Sequence, residues 1–171
     1  MVIIMFKEIA FTDVKENVVD LLKNQWALVT AGNNDGLNTM TVSWGAVGEL
    51  WAMDMATIYI RPQRYTVNYL EENDYFTISF FDSEYHSALA FCGAKSGKDV
   101  DKVKKTGLTP VLNESAPYFE EAKLVLVCKK VAKSEFKPEQ MLDKSIIDKQ
   151  YPAKDFHYIY YGAIEKVLIK E

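Results

Sequence analysis

Short runs of β-branched and aromatic residues, each closed by residues that break strands, recur along this chain of 171 residues. The clearest is residues 56–61, Ala-Thr-Ile-Tyr-Ile-Arg, which Pro62 ends because proline has no amide hydrogen to give to a sheet. Further strands are predicted at residues 26–31, 37–47, 75–81, 119–136 and 158–170. This recurrence favours a barrel, in which each strand buries one face in a shared core.

Short helical segments are predicted between these strands, at residues 13–24, 63–73, 82–91, 99–105 and 138–149. Asp13 is the expected cap of the first, and Gly107 is expected to stop the fourth. The composition never shifts sharply enough to mark a domain boundary. Residues 1–171 are therefore predicted to form a single domain of the mainly β (α+β) class, a barrel with short helical insertions.

Charge and composition narrow the classes of partner. The net charge is −4 and the isoelectric point about 5.3, so no nucleic-acid partner is expected. The apolar opening at residues 1–6 meets charged residues too early for a signal peptide or a membrane span, so a cytoplasmic protein is expected. Cys92 and Cys128 lie far apart without CxxC spacing, and no metal-ligand pattern is present.

Two arginines three positions apart, Arg61 and Arg64, stand at a junction between a strand and a helix. Guanidinium groups beside the free amides of a helix start suit the binding of one phosphate. The alternative is that both arginines are solvated or form a structural ion pair with Glu71 or Glu72. This segment alone leaves both interpretations open.

The strand at residues 38–44 alternates in polarity. Thr39, Thr41 and Ser43 share one face, and Met40, Val42 and Trp44 share the other. A row of hydroxyl groups suits hydrogen bonding to a polyol, a phosphate or the edge of a heterocycle. On periodicity alone, an amphipathic strand with its polar face in water is the more common arrangement.

The segment at residues 92–99, Cys-Gly-Ala-Lys-Ser-Gly-Lys-Asp, is a loop rich in small residues with two lysines. It is not a Walker P-loop, because three residues separate its glycines and Asp99 stands where a hydroxyl residue should bind magnesium. A loop that wraps an anion and a plain surface turn both remain open. His157, at the entry of the last strand, has no titratable partner in the sequence, so a structural role is its default interpretation.

Several segments matter for their order and spacing together: residues 38–45, 60–66, 75–81, 92–93, 96–99, 107–110, 118–122, and His157 followed by Gly162. In this arrangement they resemble the flavin reductase-like family of FMN-binding proteins, particularly its flavoredoxin branch. The resemblance runs from about Trp26 to Leu168. It implies an FMN-binding split β-barrel of antiparallel Greek-key topology that forms a homodimer, with FMN near the dimer interface.

The resemblance also implies which residues bind the cofactor: Thr39, Met40, Thr41, Ser43 and Trp44 along the flavin, Arg61, Arg64, Tyr65 and Thr66 at ribityl and phosphate oxygens, and Cys92, Ser96, Gly97, Lys98 and Asp99 around the phosphate end. His157 would lie near the open face of the flavin and is the candidate catalytic residue. Ala163 stands where relatives often carry glutamate, so no role is transferred to that position.

The function implied is an FMN-binding oxidoreductase, expected to be an NAD(P)H-dependent flavin reductase that passes electrons through bound FMN. The alternative is a flavoredoxin-like electron-transfer protein, without its own NAD(P)H activity, that serves a redox partner protein. A dimeric module that binds no flavin is a third hypothesis. The absence of a GxGxxG motif argues against a Rossmann site for the nicotinamide. The preference for NADH or NADPH and the electron acceptor are not encoded in any recognisable motif.

Overall fold

A computed structural model describes residues 5–171 of the chain. Residues 1–4, most of the apolar opening, lie outside the described part. The described residues form ten strands: β1 (Phe6–Ile9), β2 (Ala27–Asn33), β3 (Gly36–Val42), β4 (Gly45–Leu50), β5 (Met53–Ile60), β6 (Tyr75–Phe80), β7 (Pro110–Val111), β8 (Tyr118–Phe119), β9 (Leu124–Glu135) and β10 (Tyr158–Lys170).

Short helices fill the connections: α1 (Val18–Asp20), which continues as a π-helical turn over Leu21–Gln25, α2 (Thr66–Glu72), α3 (His86–Ala94), α4 (Lys102–Thr106) and α5 (Ser145–Gln150). Single 3₁₀ turns lie at Phe11–Asp13, Ser83–Tyr85 and Pro138–Gln140. The predicted antiparallel, mainly β architecture with short helical insertions is confirmed.

One antiparallel sheet contains every strand except the β7–β8 pair, in the order β3-β2-β6-β9-β10-β5-β4, with β1 also paired to β10. The long strand β10 pairs with β9 along one edge. Along its other edge it pairs with two strands, β5 and β1. Its first half, Tyr158 to Ala163, pairs with β5, and Val167 to Lys170 pairs with β1. Register shifts against β9 between Tyr161 and Gly162 and near Glu165 bend the strand between these halves.

The sheet buries both of its faces, because its strands curve around one core and the helices cover the outside. The inner core contains Val29, Met40, Ile58, Phe76 and Tyr160 with their neighbours from the same strands. A second cluster packs outside the sheet, under α3 and the β7–β8 pair. Strand β3 therefore lies between two packed layers, and this fixes the position of its polar residues.

The predicted boundaries differ from the structure where packing overrides local pattern. The first helix begins at Val18 instead of residue 13, because the side chain of Asn17, not Asp13, caps it by accepting from the amide of Asp20. The run at residues 37–47 divides into β3 and β4 at Ser43 and Trp44. The run at residues 119–136 yields β9 only from residue 124, and residues 138–149 yield only a 3₁₀ turn and the start of α5. Gly107 does end α4, with φ of +75°.

Within residues 5–171, no helix is both long and apolar enough to cross a membrane. Nor does the described part of the chain bring three or more His, Cys, Asp or Glu side chains together in an arrangement that could hold a metal ion.

Candidate functional site

Three cavities that share lining residues lie side by side where β3 and β5 end, and together they are called the channel. The inner cavity, of about 310 Å³, lies between the segment after β5 and the loop after α3. The middle cavity, of about 170 Å³, shares Met40, Arg61 and Arg64 with the inner one. The apolar groove, of about 860 Å³, shares Ser43, Trp44 and Tyr59 with the middle one. The channel therefore changes from cationic to apolar along its length.

The loop after α3 closes tightly on the inner cavity. Asn38 is buried in β3 and its side-chain amide donates to the hydroxyl of Thr66, 2.8 Å away, at the start of α2. Gly97 packs against this same amide, since a Cβ at this position would lie 1.9 Å from Asn38 Oδ1. Only glycine fits so close an approach, and the contact ties the loop to β3 and α2.

Arg64 and Lys102 supply positive charge to the inner cavity. Arg64 donates from Nη1 to the carbonyl oxygen of Gly93 at 2.8 Å. Lys102 is buried and donates from Nζ to the carbonyl oxygens of Thr39 and Cys92, at 2.7 and 2.8 Å. Burial lowers the pKa of Lys102, although two carbonyl oxygens solvate its ammonium group.

Arg61 has a partner that its sequence neighbourhood does not indicate. Its Nη1 lies 2.6 Å from Asp155 Oδ1, and its Nη2 donates to the carbonyl oxygen of Gln150 at 2.8 Å. The alternative pairing with Glu71 is not formed, because Glu71 pairs with Lys133 at 2.8 Å. Arg61 lines the channel but has most of its charge balanced, whereas Arg64 does not.

His157 lies in the middle cavity between Trp44 and Tyr151. Its Nδ1 is 2.8 Å from the hydroxyl of Tyr151, and its ring centroid is 5.3 Å from that of Trp44. Burial, and then the charge of Arg61, lower the pKa of His157 to about 4. The imidazole is therefore neutral near pH 7 and can donate or accept one hydrogen bond, but it has no proton to give as an imidazolium.

The apolar groove opens to solvent beside Trp44. Its walls come from α1 and its π-helical turn, from β4, and from the segment before β10, and they include Leu22, Val47, Phe136 and Ile146. Trp44 is 45% exposed and Val19 69% exposed, high values for large apolar side chains. This end of the channel suits a planar apolar group or a partner surface.

The hydroxyl groups of Thr39, Thr41 and Ser43, which form the predicted row, differ in their surroundings. Thr39 is buried and its hydroxyl lies 2.9 Å from that of Thr30. The Thr41 hydroxyl donates to the carbonyl oxygen of Leu89 in α3. Only Ser43 of this row is exposed, and it lines both the middle cavity and the apolar groove.

The residues implied at the phosphate end separate into three groups. Tyr65, Thr66, Ser96 and Gly97 line the inner cavity together with Met40 and both arginines. Lys98 and Asp99 line a different, polar cleft of about 500 Å³ on the other side of the loop, which Tyr65 and Gly97 also border. Cys92 is buried, and burial raises the pKa of its thiol to about 11, so it is not a reactive thiolate.

The channel residues that sequence reasoning missed include Tyr59, Lys102 and Tyr151. Tyr59 lies on the predicted strand at residues 56–61, but alternation alone does not say which face borders a cavity. Lys102 is one of three lysines in the predicted helix at residues 99–105, and only the packing of α4 against α3 distinguishes it from Lys104 and Lys105.

The chemistry of the channel lining suits the parts of a flavin mononucleotide. A cationic pocket with a glycine loop suits a phosphate, and aromatic side chains with an apolar groove suit a planar ring. The middle cavity, lined by Ser43, Arg61 and His157, supplies polar groups between these ends.

Comparison with solved structures identifies the same fold in flavin proteins. A flavoredoxin from Methanosarcina acetivorans is 23% identical, with a TM-score of 0.67 over 84% of this chain and 67% of that chain. An FMN-binding domain of a flavin reductases-like enzyme from Shewanella baltica OS155 is 15% identical, with a TM-score of 0.70 over 99% and 79%. An NADH:FAD oxidoreductase from Streptomyces globisporus C-1027 is 18% identical, with a TM-score of 0.65 over 86% and 78%.

Another matching structure is described as a split barrel domain, and the predicted split-barrel fold is thereby confirmed. A search of curated proteins finds no significant match. The model of the flavin reductase like domain matches residues 19–171, most of the chain. The chain belongs to the flavin reductase-like family.

Proposed function

We propose that this protein binds FMN in the channel and acts as an NAD(P)H-dependent flavin reductase. The observation that carries the proposal is the sequence of three adjoining cavities, which runs from a pocket lined by Arg64, a residue without an ion pair in residues 5–171, to an aromatic, apolar opening. These properties match the phosphate, ribityl chain and ring of FMN in that order.

Residues at each end have separate roles in this proposal. Arg64, Thr66, Ser96 and Gly97 hold the phosphate, and the Gly97 contact with Asn38 keeps the loop in place. Met40 and Arg61 follow the ribityl chain. Ser43 and Trp44 position the ring edge, while Lys98 and Asp99 stay outside and border the neighbouring cleft.

The bound flavin supplies the hydride and electron transfer, so the chain needs no catalytic acid or base pair. His157 is neutral at working pH and orients by hydrogen bonding, with Tyr151 fixing its Nδ1. Trp44 and the apolar groove place apolar side chains beside one side of the ring and leave room for a nicotinamide.

We also propose that the protein works as a homodimer in the cytoplasm. The exposed apolar side chains Val19, Trp44 and Ile146 border the groove, and a second copy would bury them. Size-exclusion chromatography with light scattering measures this directly, and a monomer at micromolar concentration would contradict it.

The first experiment is an absorption spectrum of the purified protein after FMN reconstitution and desalting, followed by anaerobic addition of NADH. Retained flavin bands that bleach with NADH support the reductase. Bands that persist until a chemical reductant is added indicate instead an electron-transfer protein for a redox partner, which the exposed apolar groove would also suit. A titration that detects no FMN binding would refute both functions.

A further inference from the structure

The inner cavity is bordered by a lysine that forms no ion pair within residues 5–171. Lys102 is only 5% exposed, and its Nζ contacts two carbonyl oxygens, those of Thr39 and Cys92. An ammonium group has three N–H bonds, so one remains after these two contacts. Lys102 lines the inner cavity, where Arg64 also lies, as well as the neighbouring polar cleft, so this bond is available to a ligand in the inner cavity.

The charges around this lysine leave the cavity positive. Among the ion pairs formed within residues 5–171, none includes Lys102 or Arg64. A buried cation without an anion is costly, and carbonyl oxygens offset only part of that cost. Lys102 is buried and Arg64 is half-buried, and two cations that form no ion pair within the described residues favour a ligand with two negative charges, such as a phosphate monoester.

We infer that Lys102 makes this site select phosphorylated flavin over unphosphorylated flavin. The inference rests on the proposed function, because it assumes that FMN places its phosphate in the inner cavity. Riboflavin has the same ring and ribityl chain without the phosphate, so Lys102 stabilises bound FMN and contributes nothing to bound riboflavin.

This inference assigns phosphate binding to a lysine of helix α4 and not to Lys98 of the preceding glycine loop. Lys98 lies in the glycine loop, but it is exposed and borders only the neighbouring cleft. Lys102 reaches the cavity from α4, four positions further along the chain. Its contacts with Thr39 and Cys92 join α4 to β3 and α3, so a purely structural role is the competing explanation.

The test compares FMN and riboflavin affinity in the wild type, Lys102→Met and Lys105→Met, measured by the quenching of flavin fluorescence. Methionine keeps an unbranched stem and removes the charge. Lys105→Met is the matched control, because it removes the same charge from an exposed position on the same helix. We expect Lys102→Met to lower FMN affinity about tenfold or more with riboflavin affinity unchanged, and Lys105→Met to change neither.

Equal loss of affinity for both flavins in Lys102→Met would show that Lys102 is only structural and would overturn the inference. So would an unchanged preference for FMN. A wild-type protein that binds neither flavin would refute the proposed function itself, which is a different result from a wild type that prefers FMN independently of Lys102.

A second measurement applies if Lys102→Met does not fold. The side-chain Nζ signal of Lys102 in an NMR spectrum of the wild type, assigned by its loss in Lys102→Arg, should shift when FMN is added and stay in place with riboflavin. A signal that responds to neither flavin, or equally to both, would contradict the inference.

Discussion

The two ends of the channel are built in opposite ways. The inner cavity is made of charged and small polar residues held by hydrogen bonds, such as Asn38 with Thr66 and Lys102 with two carbonyl oxygens. The apolar groove has large apolar side chains that are exposed to solvent, including Trp44 and Val19. A rigid, charged end suits recognition of a constant group, whereas an open apolar end suits partners that come and go.

The comparison can be tested by asking which end discriminates FMN from riboflavin. We expect Arg64→Ala to cause the largest effect, a loss of FMN affinity of about tenfold to a hundredfold, because a charge-assisted contact to phosphate contributes about 1.5–3 kcal/mol. Riboflavin affinity should not change. Arg61→Ala is the matched control and should cost less, since Asp155 already balances its charge. Equal losses in both variants would contradict the distinction between the two arginines.

The neutral His157 at the boundary between the ends should make stability depend on pH. Its pKa is about 4 in the folded protein and about 6.5 when unfolded, so the unfolded state binds the proton first as pH falls. The free energy of unfolding contributed by this group is full above pH 6.5 and is lost between about pH 6.5 and 4, by at most about 3 kcal/mol.

Urea unfolding of the wild type and His157→Gln across this pH range measures that contribution. The difference between the two proteins should change with pH, while carboxylate effects common to both cancel. A constant difference would mean that His157 titrates normally in the folded state.

At the apolar end, Trp44→Ala should weaken FMN and riboflavin equally, by about twofold to tenfold, because aromatic contacts contribute about 0.5–1.5 kcal/mol beyond area burial. Trp51→Ala is the matched control, since Trp51 is 58% exposed at the turn between β4 and β5. Fluorescence titration with both flavins measures the effect. A selective loss of FMN in Trp44→Ala would reverse the roles of the two ends.

The smallest effect is expected from Asp155→Asn. This change removes the partly exposed ion pair with Arg61, which contributes about 1 kcal/mol or less, and so lowers the melting temperature by about 2–4 °C or less. The ratio of FMN to riboflavin affinity should not fall, because Arg64 is untouched. A fall as large as that in Arg64→Ala would show that the pair orients Arg61 toward the phosphate.

Much of the fold could be predicted from local sequence because its strands are short, strongly patterned and closed by clear breakers. The bounds of β10 match the predicted strand at residues 158–170, and Gly107 ends α4 as expected. The break at Ser43 and Trp44 was missed, since both residues suit a strand and only the path of the barrel separates β3 from β4. Local pattern does not include such tertiary effects.

The candidate site was predictable where residues adjacent in sequence line the same cavity, as in Arg61 to Thr66. It was not predictable where distant segments meet. Arg61 and its partner Asp155 are 94 residues apart in the sequence, and the burial of Lys102 depends on α3 and β3. Periodicity places a residue on a face but does not identify the segment that covers it.

The pairing of both β1 and β5 with one edge of β10 also constrains the order in which the sheet can form during synthesis. The first and fifth strands both take their places beside the last one, so neither acquires this neighbour until residues 158–170 have left the ribosome. Earlier hairpins such as β2–β3 can form from local contacts alone. The edges of β1 and β5 that face β10 therefore stay unpaired until residues 158–170 have been synthesised, and unpaired strand edges expose a nascent chain to misassembly.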